Sequence, residues 1–175
     1  MNAGRSNMTY TTVLSEMFET RGYTDAAIET DFEYFRCCMF DGKDRVYVFD
    51  DPSEKLSVGT VKECVSFMNN EGSLHAIIIY GSAFTPIVRK IVDTDISIRI
   101  ELFSRSELGY NITKHVLVPT HARATTEERA QIEQYADKIP RLLATDAVAR
   151  FHGFTPGEII RVNRPNGTVV FRTVI

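Results

Sequence analysis

The chain has 175 residues, 43% of them hydrophobic and 25% charged, a composition ordinary for a globular protein. That length holds one domain or two small ones, no apolar run is long enough for a membrane span, and the opening MNAGRSNMTY lacks the apolar core of a signal peptide, so secretion is not expected. The formal charge of −3 hides an asymmetry: from Tyr110 onward there are 9 Lys/Arg against 6 Asp/Glu, and before it 11 against 17, which suggests two modules with different partners, neither basic enough to support free-standing, high-affinity nucleic-acid binding from charge alone.

After a polar start expected to fray, the spacing predicts a helix over about Asn7 to Arg21, with Tyr10, Val13, Leu14, Met17 and Phe18 on its buried face and Gly22 as its stop. Tyr23 to Thr30 is expected to hold a second short helical turn capped by Thr24 or Asp25. Phe32 to Phe40 and Arg45 to Phe49 read as two strands around Asp41-Gly42-Lys43-Asp44, since Asp and Gly tolerate the positive φ of a tight turn. Thr60-Val61-Lys62-Glu63 has capping-box spacing, so a helix is expected from there, burying Val61, Cys64, Val65 and Met68 and ending at Gly72. Leu74 to Tyr80 is a continuous apolar run that suits a strand covered on both faces. Thr85 and Pro86 then cap and open a helix whose buried side is Ile87, Val88, Ile91 and Val92. Ile96, Ile98, Ile100 and Leu102 alternate with polar residues and predict a further strand. Helices between strands imply some parallel pairing. Ser104 to Asn111, polar and containing Gly109, marks the boundary.

In the second module His115 to Pro119 reads as a short extended piece, and Thr125-Thr126-Glu127-Glu128 starts a helix to about Ala136 with Ile132 and Tyr135 facing inward. Thr145 or Asp146 caps a helix over Ala147 to His152 that Gly153 ends. Glu158 to Arg164 and Thr168 to Ile175 form a hairpin around Pro165-Asn166-Gly167. The expected fold class is α+β: a first domain over 1–105, with a mixed β-sheet flanked by helices, and a small second domain over 110–175, of short helices and a β-hairpin. Cys37, Cys38 and Cys64 cannot all pair and are expected to be reduced, buried thiols.

Three stretches in order, Tyr110-Asn111-Ile112-Thr113-Lys114-His115-Val116-Leu117-Val118-Pro119-Thr120-His121, Ile139-Pro140-Arg141-Leu142 leading into Asp146-Ala147-Val148-Ala149-Arg150-Phe151, and Gly157-Glu158-Ile159-Ile160-Arg161-Val162 with Arg164-Pro165 and Phe171-Arg172, carry a resemblance. The chain resembles the fifth, shared subunit of eukaryotic nuclear RNA polymerases, a family with an archaeal counterpart that lacks the first module. Arg21-Gly22-Tyr23, Val58-Gly59-Thr60 and Thr85-Pro86 match the eukaryotic first module more loosely. The resemblance implies an N-terminal jaw domain and a C-terminal assembly domain like that of the archaeal form. It implies a non-catalytic subunit that docks on the largest polymerase subunit, assembles with other polymerase subunits and lies by downstream double-stranded DNA. No cofactor is expected in this chain, the catalytic magnesium belonging to the large subunits, and no membrane contact. Ala147 stands where the family usually has proline, the jaw is shorter, and Ile87 and Val88 replace small residues after Thr85-Pro86. This divergence leaves two settings open, a nuclear polymerase or that of a large DNA virus acting in host cytoplasm and virion.

For largest-subunit docking the resemblance points to Ile139, Pro140, Arg141, Asp146, Arg150, Arg161 and Arg164, with Arg141, Arg150 and Arg161 expected to make charge-assisted bonds and Pro140 expected to fix an entry angle. For DNA it points to Thr85 and Pro86, with Arg89 and Lys90 one helical turn on, in a sequence-independent backbone contact that the acidic module makes weak in the isolated chain. The alternatives are a free-standing interaction adaptor reusing the assembly module, and a nuclease built on the acid-x-Lys string Asp41-Gly42-Lys43, which reads instead as a hairpin tip. His75, His115, His121 and His152 are scattered without metal-ligand spacing.

Overall fold

The computed structural model describes residues 3–26, 30–94 and 97–175 and divides them into two compact units, Met1–Tyr110 and Asn111–Ile175. Met1 and Asn2, the stretch Ala27-Ile28-Glu29 within the expected second helical turn, and Ile96 at the head of an expected strand lie outside the described residues. Unit 1 runs α1 (Ala3–Arg21), β1 (Thr24–Ala26), β2 (Phe35–Phe40), β3 (Arg45–Asp50), β4 (Lys55–Leu56), α2 (Val58–Glu71), β5 (His75–Tyr80), β6 (Ala83–Phe84), α3 (Pro86–Thr94) and β7 (Arg99–Ser104). Unit 2 runs β8 (Thr120–Arg123), α4 (Thr126–Ile132), β9 (Arg141–Leu142), α5 (Ala147–His152), β10 (Ile159–Asn163) and β11 (Val169–Val174), with short 3₁₀ turns between. The class is α+β, with a mixed sheet in each unit.

The unit 1 sheet has the order β1-β2-β3-β5-β7. β1, β2 and β3 pair antiparallel through tight connections, while β3, β5 and β7 pair parallel because α2 and α3 carry the chain back between them. All six residues of β5 are buried, as its unbroken apolar run predicts for a central strand. Tyr47, Phe49, Ala76 and Ile78 on one face pack with Val61, Cys64 and Met68 of α2 and Val88 of α3. On the other face the α1 side chains Tyr10, Val13, Leu14, Met17 and Phe18 are buried, as their helical spacing predicts.

An ion cluster fixes α1 to that second face. Glu101 on β7 is in register with Ile77 of β5. It accepts two bonds from Arg21 at the end of α1, at 3.0 and 2.8 Å, and one from His75 Nε2 at 2.8 Å, while Arg99 lies 3.1 Å away. Arg21 is only 2% exposed at its side chain. Burial by itself would raise the Glu101 pKa, but the Arg21 charge, the bonds from His75 and Arg21, and the Arg99 charge outweigh it and hold the carboxyl well below the usual range. A second link joins the same helix to the end of β3, where Asp50 accepts from Tyr10 at 2.7 Å, Arg36 at 3.1 Å and Arg105 at 2.6 Å.

Several expectations are corrected. α1 begins at Ala3 instead of about Asn7, since no proline interrupts that stretch. Thr24–Ala26 is a strand, not a helical turn, because its backbone pairs with the outer edge of β2. Thr60 is not the α2 cap: the Ser57 hydroxyl accepts from the Thr60 amide at 3.1 Å, starting the helix earlier and leaving Thr60 buried inside it. Ile87 is 61% exposed, while Val88 takes the inward position. In unit 2, His115 to Val118 is a turn, closed by the Val118 amide on the His115 carbonyl at 2.9 Å, and the strand starts at Thr120. The helix opened by the Thr125–Glu128 capping box tightens to 3₁₀ at Glu133, and this change of pitch leaves Tyr135 54% exposed.

The Glu101 cluster makes stability pH-dependent. A carboxyl whose folded pKa lies below its unfolded value of about 4.3 stabilises fully above that pH, and the contribution is lost as pH falls towards the folded value. Glu101→Gln is expected to cost about 3 kcal/mol at neutral pH and to flatten the decline in melting temperature below pH 4; melts across pH 2–7 check this, and parallel acid limbs for the two proteins would contradict it.

Candidate docking and nucleic-acid interfaces

Unit 2 is a four-stranded sheet in the order β8-β10-β11-β9. Alternation along β10 sends Ile160 and Val162 inward, where they pack with Leu142, Val174, Phe154 and Ala149 of α5. Arg161 therefore lies on the opposite, outer face, opposite Phe171 of β11, and Arg141 joins that face opposite Thr173. Arg161 is tied down there: Nη1 lies 3.0 Å from Glu128 Oε1, and Nε donates to Asn163 at 3.0 Å. Glu128 also accepts from the Thr125 amide at 2.9 Å, so the capping box and the arginine share one carboxylate.

Ile139 and Pro140 lead into β9, where the Pro140 carbonyl accepts from the Thr173 amide at 3.0 Å and so docks this segment beside β11. Pro140, with no N–H to leave unpaired, suits a position just before an edge strand. Asp146 is the α5 cap, accepting from the Val148 and Ala149 amides at 2.8 and 3.4 Å, and Ala147 takes the first helical position without disturbing it. Gly153, at φ 65°, ends the helix in the left-handed region. Arg150 is half-buried on the same helix, and Arg164 is exposed at the hairpin turn. The docking candidates are thus not one patch: Arg141 and Arg161 share the outer sheet face, Asp146 and Arg150 lie on the helix covering the inner face, and Arg164 is at the tip.

Two features escaped the sequence reading. Arg123 reaches Glu158 at 2.7 Å and the Gly153 carbonyl at 3.3 Å, and lies over the Phe154 ring at 5.2 Å from its centre. Val116 and Leu117 are 83% and 80% exposed, on the turn expected to be a strand.

In unit 1 the structure does bring the Thr85 group together. The Thr85 hydroxyl accepts from the Val88 amide at 3.4 Å, and Pro86, Arg89 and Lys90, spaced i, i+3 and i+4, are exposed along one face of α3. Arg89 is paired to Asp93 at 2.9 Å. The loop before the helix is held by close packing at Gly81, where an added Cβ would come 2.4 Å from the Glu54 carbonyl oxygen. The Glu54 carbonyl also accepts from the Ser82 amide at 2.8 Å, and β4 and β6 pair alongside.

The remaining chemistry-bearing residues lie elsewhere. Asp41-Gly42-Lys43 forms the exposed hairpin turn, with Gly42 at φ 94° and Asp41 Oδ1 accepting from the Lys43 and Asp44 amides at 3.3 and 3.0 Å. Cys37, Cys38 and Cys64 are free thiols; burial, with Asp51 and Glu63 nearby, pushes the Cys64 thiol up to about 12. Burial likewise lowers the His121 pKa. Among the described residues no group of three or more His, Cys, Asp or Glu is placed to hold a metal ion, and no helix is long and apolar enough to cross a membrane.

These surfaces belong to a two-unit α+β chain in which the smaller unit carries an exposed apolar turn and several arginines. The family described as RNA polymerase Rpb5, C-terminal domain, matches residues 110–174. The DNA-directed RNA polymerases I, II, and III subunit rpabc1 of Dictyostelium discoideum is 31% identical over 135 residues, covering 73% of this chain and 68% of that protein. Subunit RPABC1 of Caenorhabditis elegans is 31% identical over 144 residues, covering 77% of this chain and 68% of that protein. Matches of this length run well into unit 1. The chain belongs to the Rpb5 family of RNA polymerase subunits.

Proposed function

We propose that this chain is a non-catalytic subunit of a multisubunit DNA-directed RNA polymerase, in which unit 2 docks on the largest subunit and unit 1 forms part of the lower jaw beside downstream DNA. The observation that carries the reading is the family match over residues 110–174, joined to a unit that exposes an apolar turn at Val116 and Leu117 and the side chains of Arg141 and Arg164. The chain acts by shape and placement, and the chemistry and its magnesium belong to the large subunits. Its place of work follows the polymerase: the nucleus in a cell, the host cytoplasm and virion for a large DNA virus.

Polymerase purified from the native source through a tag on this chain is expected to carry it at one-to-one stoichiometry with the two largest subunits, measured by quantitative mass spectrometry. Recovery of the chain with other proteins and without those subunits would support a free-standing adaptor instead.

The jaw reading is supported by the shared face of Pro86, Arg89 and Lys90 on a helix start fixed by the Gly81 packing. Contact there would be to the phosphate backbone, with Lys90 the more available charge because Arg89 is paired to Asp93. Lys90→Ala in the assembled polymerase is expected to lower the salt dependence of downstream duplex binding by roughly one phosphate contact. An unchanged salt slope would remove Lys90 from the interface.

A further inference from the structure

In unit 1, α1 is fastened through Tyr10 to Asp50 on β3 and through Arg21 to Glu101 on β7, so the outer strands β2 and β1 lie to one side of it. There a groove of about 360 Å³ opens between helix and sheet. Its helix wall is a single stripe, Thr11, Leu14, Ser15, Phe18 and Glu19, at the spacing that recurs on one side of a helix. Its sheet wall follows from strand alternation. Cys38 points into the core under α2, so Cys37 and Met39 point the other way, and Asp25 joins them in register with Met39. Tyr23, between α1 and β1, completes the apolar part of the lining.

The floor of this groove is apolar and its rim is acidic. Leu14, Phe18 and Met39 are buried, and Tyr23 and Cys37 are half-buried. Burial, followed by the Asp25 charge, pushes the Cys37 thiol up to about 11, so this wall is uncharged at neutral pH and the Asp25 carboxylate acts on the groove. Asp25 and Glu19 are exposed, and no cation pairs with either among the described residues. Arg36, which also lines the groove, is already bonded to Asp50 and to Tyr10. Two uncompensated carboxylates thus stand over an apolar floor. Lysine and arginine answer both features, because their methylene stems lie along apolar surface while the charged head stays at the polar edge. Unpaired rim carboxylates also steer a cationic partner towards the site. We propose that this groove docks a basic segment of another protein, with the stem of one lysine or arginine against Tyr23, Cys37 and Met39 and its head between Glu19 and Asp25. The proposal gives unit 1 a protein partner and does not rest on a DNA contact at α3.

The test is fluorescence anisotropy of the full chain with a labelled peptide that alternates lysine and leucine. The wild type is expected to bind it, with amide shifts on addition centred on residues 14–25 and 36–39. Glu19→Gln with Asp25→Asn is expected to bind about fivefold more weakly, with a shallower salt dependence. Ser15→Trp fills the groove from an exposed position and is expected to weaken binding about tenfold, with the melting temperature unchanged. Glu54→Gln with Glu63→Gln removes the same charge from exposed positions outside the groove and is expected to bind as the wild type does. Equal weakening in that control, or none in the Glu19 and Asp25 variant, reduces the attraction to net charge and overturns the proposal. Absence of wild-type binding, shifts centred elsewhere, or wild-type binding by Ser15→Trp overturns it as well. A dimer of the free chain that Ser15→Trp abolishes assigns the groove to a second copy and likewise overturns it.

Discussion

A unit as small as residues 111–175 has few side chains from which to build a core. Its buried cluster is Leu142, Ala149, Phe154, Ile160, Val162 and Val174, one sheet face against a helix of less than two turns. The same unit leaves Val116, Leu117, Leu143 and Ile175 exposed to water. Fully burying a side chain of that kind is worth about 1.5–3 kcal/mol, so a neighbour's surface is the natural place to recover it. Small folds gain proportionately more from such contact, because they bury a smaller share of their own surface. That constraint joins the sequence of this segment, its exposed turn and its membership of a family of polymerase subunits.

Unit 1 meets the opposite condition. Its sheet is covered on both faces, and the helix on one face is bolted down by the Arg21–Glu101–His75 cluster and by Asp50. Buried ions of this kind add little net stability when every partner is present, but losing one partner leaves the others buried and uncompensated. The outcome is a frame against which α3 packs through Val88, its start fixed where Gly81 touches the Glu54 backbone. A frame that holds a helix start in place suits a part that works by position.

Periodicity made most of this legible. The buried face of α1, the doubly covered β5, the Thr85-Pro86 helix start, a cap at Thr145 or Asp146 and both hairpins are local patterns, and each is present, with Asp146 taking the cap. What failed depended on tertiary partners or on near-equal local choices. Ser57 and Thr60 offer competing caps one turn apart, and the earlier one prevails. Thr24–Ala26 becomes strand because β2 has an edge to pair, which no local propensity reports. His115-Val116-Leu117-Val118 has strand composition, but Asn111 and His115 close turns around it. The Glu101 hub joins residues 80 positions apart, beyond any window of pattern reading. For the docking candidates the resemblance supplied residues but not faces; sheet alternation separates Arg141 and Arg161 from Asp146 and Arg150.

Hydrogen–deuterium exchange of the full chain, compared free and within purified polymerase, addresses the central claim most directly. The account predicts slower exchange in the complex across residues 112–118 and 147–152, with the already buried β5 unchanged. Identical exchange of 112–118 in both states would contradict it.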